Sequence, residues 1–277
     1  MTLRCGRIQY TNDLPVYAAF DAHAIAYPGT LHSDVPSNLN ALLVAGELDL
    51  SPISAFAYAK DAERFVLLPD LCIGARREVI SVVLVSQAPP ALLDGTTISL
   101  TRESASGANL LRVLLGRRYG VSANFVETDS PLQVARSGKP ALLIGDAAID
   151  AALELAPEHV YDLGVLWHDW TGEQTVFAVW AARREVFESS PEAVRACMHA
   201  LTDAYTWGRG HLGTVIAQAQ AVKPRPEGFY ENYYAKLNFN FHAAAQSGLS
   251  AYCRELAALG AIARLPQITP EVIGVVN

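Results

Sequence analysis

The segment Thr96–Gly120, TTISLTRESASGANLLRVLLGRRYG, runs a β-prone stretch straight into an apolar-periodic helix. A chain built on such junctions has to layer helices on a sheet. Thr96 to Leu100 reads as a strand, and Leu110, Leu111, Val113 and Leu114 recur at helical spacing. Between them stand Thr101, Ser104, Ala105, Ser106 and Gly107, all small or hydroxylated. Ser104 is placed to cap the helix, its hydroxyl accepting from a first-turn amide. Tyr119-Gly120 supplies the stop, since glycine readily takes the left-handed conformation that ends a helix. A helix start of this kind presents unpaired N–H groups and the positive end of its dipole, and small side chains let an anion reach them. A capped helix with no ligand satisfies the same residues, so the rest of the chain has to decide.

Strand and helix signals alternate along it. Gly6 to Tyr10 reads as a strand, and Thr11-Asn12-Asp13-Leu14-Pro15 as a loop at its carboxyl end. Pro15 is expected to hold Leu14 extended ahead of a helix through Val16 to Phe20. Ala24 to Tyr27 and His32 to Val35 offer a second strand and loop, then Ser37 caps a helix, Leu39 to Ala45, ended by Gly46. Leu48-Asp49-Leu50 leads into Ser51-Pro52-Ile53-Ser54, a second hydroxyl-rich strand exit, followed by a brief helix to Lys60 and a strand from Phe65 to Leu68. Val79 to Val85 is the most strand-like run, and its lone Ser81 needs a hydrogen-bond partner if buried. Asn124 to Glu127 and Ala141 to Ile144 are further strands; Gly145-Asp146 closes the latter, with Asp146 placed to cap a helix from Ala147 to Leu155. Trp167 to Gly172, WHDWTG, reads as an aromatic loop able to cover a cleft, and Val176 to Ala181 as a return strand. From Arg183 onward the pattern is helical and amphipathic: Pro191 to Trp207 behind Ser190, then segments around Leu212 to Ala221, Tyr230 to Leu237 and Leu249 to Leu259.

This alternation favours parallel or mixed sheets. Crossings near 86–90, at Gln87-Ala88-Pro89-Pro90, and near 179–183 would divide the chain into two mixed-sheet lobes with a central cleft. One lobe holds residues 1–86 plus 183–277 and the other residues 87–182. Open α/β sheets bind ligands at strand carboxyl ends. The cleft would therefore collect Asn12, Ser51 to Ser54, Ser81, Thr101 to Gly107 and Gly145-Asp146. Singly, Asn12 also reads as a turn former and Ser81 as a satisfied core serine.

Composition narrows the partners. The net charge of -7 argues against nucleic acid, which selects a basic face. An anionic ligand must then be held by local donors. Cys5, Cys72, Cys197 and Cys253 are scattered and the histidines form no H-E-x-x-H pattern, so neither a disulfide framework nor a metal site is expected. No apolar leader and no run of ~18 apolar residues is visible, which predicts an intracellular protein away from membranes. Lys223, Arg225 and the Arg76-Arg77 pair read as solvated surface.

RIQYTNDLPVY, GELDLSPIS, LLPDLCIG, ALLIGDAA and the set VYDLG, LW, DWTG and VFAVWAARRE resemble the chorismate dehydratases of the futalosine route to menaquinone, in order through nearly the whole chain. The resemblance implies a cytoplasmic enzyme with the type II periplasmic-binding-protein fold and no cofactor, acting as monomer or homodimer. Chorismate would lose its C4 hydroxyl and C3 hydrogen to give 3-enolpyruvylbenzoate and water. It also implies that Asn12 positions the substrate, that Ser81 contacts the ring or assists the leaving hydroxyl, and that Ser104 to Ser106 bind a carboxylate. The expected contacts extend to Ser51, Ser54, Thr101, Ala105, Gly145, Asp146 and Thr175. Thr11, Gly107 and Glu173-Gln174-Thr175 depart from the family's usual residues. Two rivals stand beside this reading: a cytosolic small-carboxylate binding protein on the same fold, and the sister 1,4-dihydroxy-6-naphthoate synthase. The sister family opens on a Ser-Pro-Cys-Pro-like motif absent here and would need a cleft histidine, for which His168 in the WHDWTG segment is the candidate.

Overall fold

A computed structural model describes residues 2–271. Within them, strands β1 (Arg4–Ile8), β2 (Thr30–Asp34), β3 (Leu50–Ser54), β4 (Phe65–Ala75), β5 (Val82–Val85), β6 (Thr97–Thr101), β7 (Asn124–Thr128), β8 (Ala141–Ile144), β9 (Val160–Asp162), β10 (Thr175–Arg183) and β11 (Leu237–Asn240) form two mixed sheets. A six-stranded sheet has the order β11-β4-β10-β3-β1-β2 and a five-stranded sheet the order β7-β6-β8-β5-β9. β1 pairs in parallel with β2 and β3, and β6 with β7 and β8, while β10 and β5 run antiparallel to their neighbours. Each sheet forms one lobe of a bilobed α/β fold, as the alternation of signals predicts.

The apolar run Val82 to Val85 shows why periodicity alone could not assign its sheet. Val82 and Leu84 face the main core, and Val83 and Val85 face a smaller cluster with Ala135, Ala141, Leu143, Ala148 and Ala151. Both faces are covered, so the run is continuously hydrophobic and carries no inside-outside alternation. It pairs with β8 and β9 in the second sheet, and β10 pairs with β3 and β4 in the first. By sheet membership, the chain crosses between lobes in segments 76–81 and 163–174. Both precede the crossings expected near 86–90 and 179–183; Pro89 and Pro90 open only a short 3-10 turn.

Other expectations change in register. Leu14 is helical (φ -54°, ψ -37°), because the helix Leu14–Asp21 takes Pro15 in its first turn, where a missing N–H costs nothing. Ser51 to Ser54 lie inside β3 instead of after it. WHDWTG is the end of a helix, Leu163–Thr171, whose Trp167 is buried edge-on to Trp170 and Tyr252. The all-helical reading after Arg183 missed β11, which pairs with β4 at the sheet edge.

Candidate functional site

The cleft between the lobes is lined by Ile8, Tyr10, Asn12, Ser54, Ser81, Ser104, Ala105, Ser106, Gly145 and Phe177, with Pro36, Pro52, Ile73, Val79, Val82, Ile144, Ala178 and Leu237 completing its walls. Its cavity volume is about 70 Å³. Among the described residues, five helices begin at this cleft, Pro36–Ala45 and Ala55–Lys60 among them, the latter capped by Ser54. Leu14–Asp21 starts just past Asn12; Ala105–Val113 starts after Ser104; Gly145–Glu154 starts where β8 ends.

Ser104 caps its helix as its sequence context predicts, with Oγ accepting the Gly107 N–H at 3.0 Å. The first helical bond there, Ala108 N–H to Ser104 O, leaves the preceding amides of Ala105 and Ser106 at the cleft wall. Ser106 also ties the lobes together: its hydroxyl donates to Phe177 O at 2.8 Å and accepts from Phe56 N–H at 3.2 Å, and Tyr252 Oη donates to Ser106 O at 3.0 Å. Asn12 is half-buried, and its amide oxygen is buried with no hydrogen-bond partner. An unpaired buried acceptor is costly, so this one is positioned to be satisfied by something that enters the cleft. Ser81 lies in a turn ahead of β5, not within the strand, and its carbonyl accepts the Gly145 N–H at 2.8 Å.

Tyr10, which the sequence reading passed over, lies over Gly145, and its hydroxyl donates to Glu103 Oε2 at 2.5 Å across the lobes. Burial and the Glu103 partner raise the phenol above its ordinary value, so it remains a donor. Its position just after β1 was the one available signal. The apolar walls Ile8, Ile73, Val79, Ile144 and Phe177 carried none, because each reads as core.

Four expected contacts lie elsewhere. Ser51 is fully buried beneath Gly6, where an ideal Cβ would come within 2.1 Å of Ser51 Oγ, and its hydroxyl bonds Pro52 O. Thr101 is buried in β6 with Oγ1 accepting from Glu103 N–H. Asp146 does not cap its helix; its carboxylate pairs with Arg225 at 2.9 Å. Arg225 in turn is not surface: its side chain is 4% exposed and also pairs with Asp150. Thr175 donates to Ala75 O and lines a small cavity behind Ser106 and Phe177. His168 is absent from the cleft lining and contacts Glu173 O through Nδ1. The Gln174 and Glu173 side chains accept from Asn238 Nδ2 and Ser247 Oγ, so these two departures serve internal bonds. Among the described residues, no group of three or more His, Cys, Asp or Glu side chains is arranged to hold a metal.

Residues 3–258 match the family model described as menaquinone biosynthesis. The chain belongs to that family. Within it, the chain is 33% identical over 269 residues to a chorismate dehydratase of Thermus thermophilus, covering 91% of this chain and 94% of that one. Solved structures extend the likeness at the level of fold. A Candida albicans protein described as having the generic periplasmic binding protein fold superposes with a TM-score of 0.67 at 13% identity, covering 97% of this chain and 93% of that one. The periplasmic aliphatic sulphonate binding protein of Escherichia coli gives 0.65 at 13% identity, covering 96% and 90%. This menaquinone-biosynthesis chain thus has a periplasmic-binding-protein-like fold.

Proposed function

We propose that the protein is a chorismate dehydratase, a hydro-lyase that converts chorismate to 3-enolpyruvylbenzoate and water in menaquinone biosynthesis. The observation that carries the reading is the chemistry of the cleft. It combines an unsatisfied Asn12 amide, a helix N-terminus with free amides and apolar walls, and its lining contains no carboxylate, histidine, lysine or arginine. A ring dicarboxylate fits such a site. Its flat apolar body lies against Ile73, Val79 and Phe177, and one carboxylate meets the amides of Ala105 and Ser106.

The same lining offers no strong general base, since Asp146 is committed to Arg225 outside it. The substrate's own enolpyruvyl carboxylate then takes the C3 proton. The C3–H electron pair becomes part of the aromatic ring, the C4–O bond breaks, and the hydroxyl departs as water with the proton that the enolpyruvyl carboxylate took from C3. Asn12 positions the substrate near the reacting carbon and Ser81 hydrogen-bonds the departing oxygen. Enforced geometry and oriented donors supply the catalysis, while aromaticity supplies the drive. In this reading the step belongs to the futalosine route and runs in the cytoplasm. The four buried free cysteines are compatible with a reducing compartment.

The test is incubation of the purified protein with chorismate, without added metal or nucleotide, followed by mass and ultraviolet absorbance. Loss of one water to an aromatic enolpyruvyl ether is the expected outcome. Chorismate that stays unchanged contradicts the reading and leaves a carboxylate-binding protein in its place.

A further inference from the structure

Ile80, immediately before Ser81, has φ +65°. A β-branched residue in this left-handed region is a genuine outlier, and its conformation persists only where surrounding bonds over-determine it. The turn about Ile80 is closed by Ser81 N–H donating to Val79 O at 2.7 Å, and one side chain fixes it from outside. Asp162, the last residue of β9, accepts the N–H of Val79 at 3.0 Å and of Ile80 at 2.6 Å through Oδ2. Through Oδ1 it accepts Gly164 N–H at 2.8 Å and Val165 N–H at 3.1 Å, capping the helix Leu163–Thr171.

These four amides belong to the two segments in which the chain passes between lobes. The segments pack tightly: an ideal Cβ on Gly164 would meet Arg77 O at 2.3 Å, and Arg77 pairs with Asp169 at 3.0 Å. Ser81 leaves this staple directly into the cleft wall, its carbonyl holding Gly145 N–H and its hydroxyl donating back to Val79 O at 3.3 Å.

We infer that Asp162 is a positioning residue for the dehydration step, holding Ile80 in the left-handed conformation that turns Ser81 into the cleft. The inference rests on the dehydratase reading for its kinetic readout, and its structural readout is independent of it. Asp162→Asn separates the two jobs of the carboxylate. Asparagine caps a helix as well as aspartate does, so Oδ1 can still serve Gly164 and Val165. Its Nδ2 then faces the Val79 and Ile80 N–H groups, donor against donor.

The expected result is a kcat for chorismate lowered about tenfold or more with KM changed less than about threefold, as for a displaced catalytic contact. Ile80→Gly removes the conformational cost that Asp162 offsets, because glycine adopts φ near +65° freely. Adding it to Asp162→Asn should restore kcat to within about threefold of the Ile80→Gly single variant. A double variant whose loss equals the product of the single losses overturns the inference, and so does a double variant that fails to fold whenever Asp162→Asn does. Crystal structures of Asp162→Asn and of the native protein decide the same point without substrate. Ile80 leaving the left-handed region with Ser81 Oγ withdrawn from the cleft supports the role, whereas Ile80 unchanged in the variant overturns it. Failure of native turnover would strike the dehydratase reading alone.

Discussion

Asn12 concentrates the account at the scale of one residue. Its position in TNDLP marked it as a strand-exit residue, but only the structure reveals that its amide oxygen is buried and unpartnered. Asn12→Ala should lower kcat for chorismate about a hundredfold or more while leaving thermal unfolding close to native, as removal of one oriented hydrogen-bonding group does elsewhere. Native-like turnover would remove Asn12 from the mechanism. Its neighbour Asp13 makes a separate prediction. Burial lifts the Asp13 carboxyl well above its usual range, with the charge of Arg7 only partly opposing it. Folded, Asp13 keeps its proton to higher pH than it does unfolded, where it ionises near pH ~4. Its contribution to stability is therefore complete below the unfolded value and is lost as pH rises toward the folded one. Asp13→Asn removes that dependence, so the variant's Tm relative to native should climb as pH rises above ~4. A difference that stays flat across this range would contradict a buried neutral acid. Nothing in the sequence marked Asp13 apart from any polar loop residue, because burial is a property of the assembled fold.

At the scale of elements, the strand–turn–helix unit was the most legible part of the chain. β6, the Ser104 cap and the helix Ala105–Val113 stand where small residues, helical spacing and a glycine stop predict them. Ser104→Ala should cost about 1 kcal/mol of stability through the lost cap. It should also raise KM for chorismate more than it lowers kcat, because the anion-facing turn loses its fixed geometry. A change in Tm with KM unmoved would separate the cap from the binding site. Elements whose pattern has two readings were less legible. WHDWTG looked like a loop because its aromatics are polar-flanked, yet Asp162 caps it as a helix from outside the motif. β11 follows a tyrosine-rich helix, Phe229–Lys236, and is strand only because β4 offers it an edge. Asp146 and Arg225 each read as ordinary, a cap and a surface charge, and neither side chain points to the other across 79 positions of sequence.

That pair matters most at the scale of the whole molecule. Arg225, in the turn after the helix Leu212–Val222, reaches the helix Gly145–Glu154 of the opposite lobe, where it pairs with Asp146 and Asp150 and approaches Phe229 at 5.8 Å. Together with the Tyr10–Glu103 bond and the Ser106 contacts it holds the lobes against each other around the cleft. Arg225→Ala should destabilise by about 2 kcal/mol, less than a fully buried pair would, since both carboxylates keep part of their hydration. KM for chorismate should rise with the weaker closure, and a variant with native Tm and native KM would deny the clamp. The bilobed plan itself was readable from alternating signals; the positions of the crossings were not, because a strand buried on both faces fits either sheet.

The most direct measurement is a crystal structure of the protein with 3-enolpyruvylbenzoate. The account predicts the molecule between the lobes, one carboxylate on the amides of Ala105 and Ser106, the ring against Phe177 and Ile73, and the Asn12 amide bonded to the bound molecule. Binding outside this cleft, for example in the surface groove beneath Ala263 to Glu271, or a carboxylate held by arginine in place of the helix amides, would contradict it.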